Sequence, residues 1–412
     1  MPARHHSTLT GVALLTGFLA VHAAAQEPLT LTRAEQLAIE LAPSLARARA
    51  NASAAAERVI PEGRLPDPQL TLGLANVPTS SYRLDREDMT MGVVGLRQSF
   101  PPTRTLEART RRAEQEHARE NARFEIERRG LLRQVRSTWH ELYFAEQARR
   151  LLEGARQLAA RDLEAAEARY RAAQETPRAV LRARQALARI DERLPALRAL
   201  AVRTRAALTR WIGAAANDPL PGAPPTPTTL PPFAPDSHPE WLAAQAERGA
   251  ARAEVDMARA DYRPGWMLDL SVGYRRPSPE GVERANLATV MVTLDLPLFR
   301  DKRQDRRLAE RQTREAAARY DTEDKRRELE SLYQATRAEH EALVERVRVF
   351  EEQLLPAVRR EARVTLAGFA RDQTELREAR VRALEAEIEL LRLRTDLAKT
   401  RTELLYLTGE AP

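Results

Sequence analysis

The chain repeats itself at a spacing of 196 residues, and that repeat limits the possible folds more than any local motif does. Pro43 and Pro239 stand 196 positions apart, and each opens a helical run, PSLARARANASAAAERV and PEWLAAQAERGAARAEV. Pro68 and Pro264 keep the same separation, and each precedes a strand-like run, QLTLGLAN and GWMLDLSVGY. Ala183-Arg184 falls on Ala379-Arg380 by the same shift. Three anchors at one spacing mark a duplicated unit of about 200 residues, and a repeat of that size decides architecture first.

Each copy ends in a long amphipathic return helix. In the second, Val381, Leu384, Ile388 and Leu391 step 3, 4, 3, one apolar stripe on a helix. In the first, Leu187, Ile190, Leu194, Leu197 and Ala201 do the same. Ahead of the second stripe, Ala367-Gly368-Phe369-Ala370-Arg371-Asp372 breaks the pattern, so two helices are expected to turn back on each other there. The preceding runs are very long. From Thr103 to about Ala172 there is no Pro and only Gly130 and Gly154. At 1.5 Å per residue, about 70 residues extend about 100 Å. Asp301 to about Ala370 is similar, with a bend or break expected at Pro356, and Pro195 is expected to disturb the first return helix. Such lengths suit either a hollow helical tube or a solid coiled-coil rod.

Two pairs of strands precede the long helices. Leu70, Leu72 and Leu74 alternate with Thr71, Gly73 and Ala75; Met89, Met91 and Val93 begin a run through Gln98. Leu268, Leu270, Val272 and Tyr274 alternate with Asp269, Ser271 and Gly273; Val290, Val292, Leu294 and Leu296 alternate with Met291, Thr293 and Asp295. A period of two gives one apolar and one polar face. Either this is a small soluble sheet packed on helices, or the apolar face meets lipid. After residue 25 no apolar stretch is long enough for a membrane helix, so any crossing must use strands. Four strands cannot close a barrel, and open edges are not tolerated in lipid. Three copies supply twelve, so membrane-spanning strands imply a trimer.

The order helix, strand pair, long helix, tip and return helix, given twice, resembles the TolC family of trimeric outer-membrane efflux channels. The resemblance rests on LTLTRAEQLAIELAPSLARARA, HPEWLAAQAERGAARAEV, GLRQSFPP, TLDLPLF and the terminal LLYLTG, and covers nearly all of the chain beyond residue 25. It implies a mainly α fold with a small β part: a trimeric twelve-stranded transmembrane β-barrel continuous with a periplasmic α-helical tube. It also implies a passive outer-membrane exit channel of a Gram-negative bacterium, docked on a periplasmic adaptor (membrane fusion) protein and an inner-membrane pump of the RND type. RLPDPQLTLGLAN and MTMGVVGLRQSFPP look like the heavy-metal branch, the CusC and CzcC type, which implies metal cations as cargo. Organic drugs or solvents are the alternative cargo, and a periplasmic coiled-coil scaffold or adaptor is the alternative of another class.

The chain divides accordingly. Residues 1–25 read as a signal peptide, with basic Arg4, an apolar run from Leu9 to Val21 and Ala23-Ala24-Ala25 at the cleavage site. Residues 26–213 and 239–412 are the two repeats, and 214–238 is a Pro/Ala-rich linker. There is no cysteine, which excludes disulfides, thiolate metal sites and anchoring through a lipid-modified Cys. The net charge of +7 comes from 66 Lys+Arg interspersed with 59 Asp+Glu, not from a basic patch, so no nucleic-acid partner is expected. His117, His140 and His340 lie singly, and no HExxH, GxSxG or phosphate-binding glycine loop occurs. Neither enzyme activity nor a cofactor is expected. Met89 and Met91 are soft enough for copper(I), but a lipid-facing position serves them as well, so no metal ligand is assigned.

The resemblance also implies a gate. In the family a DxxDA-like segment after the second tip narrows the periplasmic end with carboxylates. Here the matching segment is Glu375-Leu376-Arg377-Glu378-Ala379, with Glu375 and Glu378 in the acidic places and Arg377 between them. The first tip, Ala179-Val180-Leu181-Arg182-Ala183, has no acid at either place. An exposed Glu pair near a helix start, stabilised by the helix dipole, is the plainer reading of the same residues.

Overall fold

The structure, a computed structural model, describes residues 27–225, 229–367 and 373–409. The expected signal peptide lies outside these residues, as does all but Ala367 of the break expected at 367–372. The first copy contains α1 (Leu31–Leu41), α2 (Pro43–Glu62), β1 (Gln69–Ala75), β2 (Met91–Phe100), α3 (Thr103–Arg171) and α4 (Pro177–Ile212). The second contains α5 (Pro239–Ala260), β3 (Trp266–Tyr274), β4 (Leu287–Leu294), α6 (Gln304–Val349), α7 (Leu355–Ala367) and α8 (Gln373–Thr408).

The 196-residue shift survives at the level of element bounds. The bounds of α8 are those of α4 shifted by 196, and the ends of α3 and α7, Arg171 and Ala367, match by the same shift. Gly213 and Gly409 close the two return helices at φ 63° and φ 83°. Glycine takes such angles without a Cβ penalty, which explains why each return helix stops there. The copies differ at their starts. Where the first has α1, the second has only the short 3₁₀ turn Pro235–Ser237 ahead of α5.

α3 is one unbroken helix of 69 residues, about 100 Å long. Its counterpart is interrupted, as expected near Pro356: a π-helical turn, Phe350–Leu354, separates α6 from α7. Pro356 has no N–H to give the carbonyl one turn earlier, and the wider turn absorbs the mismatch. Pro195 behaves differently. It sits inside α4 without ending it, and it is exposed, away from the packed face of the helix.

The helices form a row, not a closed bundle. Next to the sheet the order is α2, α3, α5, α6; farther away it is α4, α3, α8 and then α6 with α7. Among the described residues no substantial contact joins the two ends of the row. The main core lies at mid-length, where Trp139, Leu142, Leu208, Ile212 and Leu29 are fully or almost fully buried. Trp139 donates from Nε1 to the Leu29 carbonyl at 2.9 Å. The segment after α4 is fastened to this core: Leu29 N–H donates to the Pro219 carbonyl at 2.8 Å, and Tyr143 Oη to the Gly222 carbonyl at 3.2 Å.

Candidate membrane sheet and gate

The four strands form one antiparallel sheet in the order β1-β2-β3-β4. The two repeats join where β2 pairs with β3. Register carries the alternation of each strand across the whole sheet. Leu70, Leu96, Leu270 and Val290 lie in one row, and Leu72, Val94, Val272 and Ala288 in the next. The opposite face carries Thr71, Gly95, Ser271 and Thr289 in a row, with an Arg97–Asp269 ion pair at 2.5 Å across the β2–β3 seam. The apolar rows stay open, with Leu72 68% and Val290 70% exposed. Among the described residues no helix packs substantially on either face, which goes against the reading of a small soluble sheet on helices. Strands β1 and β4 each keep one unpaired edge.

The methionines differ from expectation. Met89 lies in the turn before β2, and Met91 shares the parity of Val93, Gly95 and Arg97. Met91 therefore belongs to the polar face, not to the apolar one, and it lies over Gly273, whose missing side chain leaves it room. A strand start misjudged by two residues keeps parity; the error was to take Met89, Met91 and Val93 as the apolar phase when Val94 and Leu96 carry it.

The loops beyond the sheet are knitted together by a residue that sequence reasoning missed. Arg284, its side chain 10% exposed, pairs with Asp88 at 2.8 Å and donates to the Asp85 carbonyl at 2.9 Å. Arg275 adds a bond to the Asp88 carbonyl at 3.1 Å. The loop of the second copy is thus clasped to that of the first. No local motif announces it, because Arg284 meets mostly main-chain carbonyls.

At the far end α8 carries the expected gate residues. Glu375 and Glu378 are exposed, while Leu376 and Ala379 behind them are buried. At 100° per residue, Glu375 and Glu378 share a face and Arg377 points away from it. Arg377 instead lines a cavity of about 400 Å³ between the two hairpins, with Arg150, Arg380, Ile190 and Leu384. The helices around the cavity are tied by ion pairs: Arg380–Asp162 at 3.4 Å, Arg359–Glu387 at 2.7 Å and Arg382–Glu361 at 2.8 Å. The first tip is capped conventionally, the Thr176 hydroxyl accepting from Ala179 N–H at 3.3 Å. Nearer mid-length, Glu141 joins α3 to α8 through Arg392 at 2.8 Å and Lys399 at 3.0 Å. Burial opposes its ionisation, yet the two cations hold it below the usual carboxylate range.

No helix among the described residues is long and apolar enough to cross a membrane. An open sheet with one exposed apolar face, continuous with a helical wall about 100 Å long, is the form of a subunit that builds a channel through a membrane. The chain belongs to the outer membrane efflux protein family, whose model matches residues 34–214 and again residues 230–410. Proteins of this family are channels, not enzymes. The fold is similar to that of CusC, described with transmembrane channel formation, at TM-score 0.76 and 14% identity over 94% of each chain. It is equally similar to the outer membrane protein VceC of Vibrio cholerae, at TM-score 0.76 and 18% identity over 92% of this chain and 96% of that one. The open-state MtrE outer membrane channel of Neisseria gonorrhoeae follows at TM-score 0.73 and 18% identity, over 92% and 88%. No curated protein matches the chain by sequence.

Proposed function

We propose that three copies close into a twelve-stranded barrel in the outer membrane, continuous with a helical tube in the periplasm, and that this channel exports heavy-metal cations. The observation that carries the channel reading is the sheet: two continuous apolar rows that stay exposed among the described residues, and two free edges. Lipid satisfies the apolar face, and neighbouring copies satisfy the edges. The helical row has matching free flanks, with Leu181 and Val202 of α4 exposed at one and Val364 of α7 at the other. The Thr, Ser and Gly rows, with Arg97 and Asp269, then line the barrel interior.

The channel itself supplies no energy. An adaptor and an inner-membrane pump of the RND type complete the exporter, and the resemblance to the family supports both. The metal cargo rests on the segments that look like the heavy-metal branch. Selection of the ion lies with the pump. Deleting the gene should sensitise cells to copper, silver, zinc, cobalt or cadmium salts and leave a panel of dyes and drugs unaffected. Sensitivity to dyes alone rejects the metal cargo. Removal of either strand pair, 69–98 or 266–296, leaves two strands per copy and six in a trimer, on a tube sized for twelve. It should abolish the heat-sensitive trimer in outer-membrane fractions, and recovery of normal conducting trimers sinks the barrel.

A further inference from the structure

The 196-residue register holds through the turns that leave the sheet, yet the two turns are built differently. Phe100-Pro101-Pro102-Thr103 in the first copy corresponds to Leu296-Pro297-Leu298-Phe299 in the second. In the first, Phe100 stacks on Trp266 with ring centroids 4.0 Å apart, and α3 begins at once with Thr103. In the second, the chain runs on as a turn and a short 3₁₀ segment, Arg300–Lys302, before α6 starts at Gln304. Leu296, Leu298 and Phe299 project from it, 65%, 74% and 68% exposed. Leu296 continues the parity of Val290, Val292 and Leu294, so this apolar surface is continuous with the apolar face of the sheet. Arg300, Lys302 and Arg303 follow directly, with Asp301 between the first two, and all four are exposed. Among the described residues, the side chains of Lys302 and Arg303 have no ion-pair partner.

We infer that the Leu296–Phe299 turn is a membrane-interface anchor that seats in the headgroup region of the periplasmic leaflet, its basic residues meeting anionic phospholipid. The inference rests on the membrane placement of the sheet proposed above. Three exposed apolar side chains in four residues, adjoining a basic run, have the composition of interfacial anchors. Basic residues at that depth gain from a negative leaflet surface. The first copy, with Phe100 covered by Trp266 and no basic run as dense, offers no such surface. Each subunit would thus be anchored at one side only.

The chain contains no cysteine, so single-cysteine labelling reports one site. Full-length Leu298→Cys and Phe299→Cys, recovered as assembled trimers, would carry bimane. The vesicles would be phosphatidylethanolamine and phosphatidylglycerol containing lipid spin-labelled near the headgroup or deep in the chain. Leu72→Cys is the control for the sheet, and Val364→Cys for the helical wall. The anchor places 298 and 299 at headgroup depth, so their emission should fall by about half with the shallow quencher. The deep quencher should act on 72, and neither quencher on 364. With Lys302→Gln and Arg303→Gln together, quenching at 298 should drop in phosphatidylglycerol vesicles and stay unchanged in phosphatidylcholine. Quenching at 72 without quenching at 298 or 299 overturns the anchor alone and assigns the turn to water or a neighbouring copy. Absence of quenching at 72 overturns the membrane placement of the sheet, and the anchor with it.

Discussion

At the residue scale, single side chains couple the helices to pH. His140 sits on α3 and is largely buried, with Arg136 and Lys399 nearby; burial first and these cations second push it down from 6.5 to about 4. The fold therefore holds a neutral imidazole that the unfolded chain protonates near 6.5. Its contribution to stability is full above pH 6.5 and is lost as pH falls toward 4. The size is about 2–3 kcal/mol at most, since one pKa unit is about 1.4 kcal/mol and the ring keeps some exposure. His140→Gln should flatten the fall in thermal midpoint between pH 6.5 and 4 relative to the unaltered protein. Equal slopes for the two proteins would show that the buried imidazole has no such role. Nothing in the sequence around His140 distinguishes it from His117 or His340. Its burial depends on which face of α3 meets α8, and that is a tertiary fact.

At the element scale, periodicity revealed one stripe per return helix and overlooked a second. Leu384 and Ile388 of α8 meet Leu152, Ile190 and Leu194 on the α3–α4 side, as the 3-4 spacing implies. Ala386, Leu390 and Leu393 form another stripe toward Leu343, Val347 and Leu355. α8 is buried on two sides because it sits inside the row, and Ala386 on the second stripe weakens its hydrophobic signal. The strands were legible because a period of two needs few residues, although the phase of β2 was misread at its start. The clasp made by Arg284 was not legible at all. The helix stops are testable. Gly213 has ψ −145° with its φ of 63°, a region almost closed to other residues, and Gly409 has φ 83°. Gly213→Ala and Gly409→Ala should each cost about 1–3 kcal/mol in backbone strain. At Gly409 the added methyl also meets Arg129 Nη2 at 3.2 Å, whereas the space at Gly213 is open. Both variants should melt earlier. An unchanged melt for Gly213→Ala would mean that the turn relaxes into another conformation.

At the scale of the whole molecule, we propose that duplication and threefold symmetry together build a gate from Glu375 and Glu378. Only the second return helix carries acids at the gate positions, so a trimer would gather six carboxylates, two from each copy, around one axis. The exposure of Glu375 and Glu378 on one face of α8, with Leu376 and Ala379 buried behind, leaves that face free for the axis. A ring of carboxylates attracts cations and favours their passage, which suits a metal cargo. Their mutual repulsion would also help the tips part when an adaptor docks. Arg377 lines the cavity between the hairpins, on a different side of α8 from Glu375 and Glu378. The two faces therefore predict separate phenotypes. Glu375→Gln with Glu378→Gln should lower cation preference in planar-bilayer conductance and weaken block by multivalent cations, with trimer yield unchanged. Arg377→Gln should leave cation preference as it is and alter only how the hairpins pack. If the double variant assembles normally yet keeps the selectivity and block of the unaltered channel, Glu375 and Glu378 are ordinary solvated residues at a helix start and the constriction lies elsewhere.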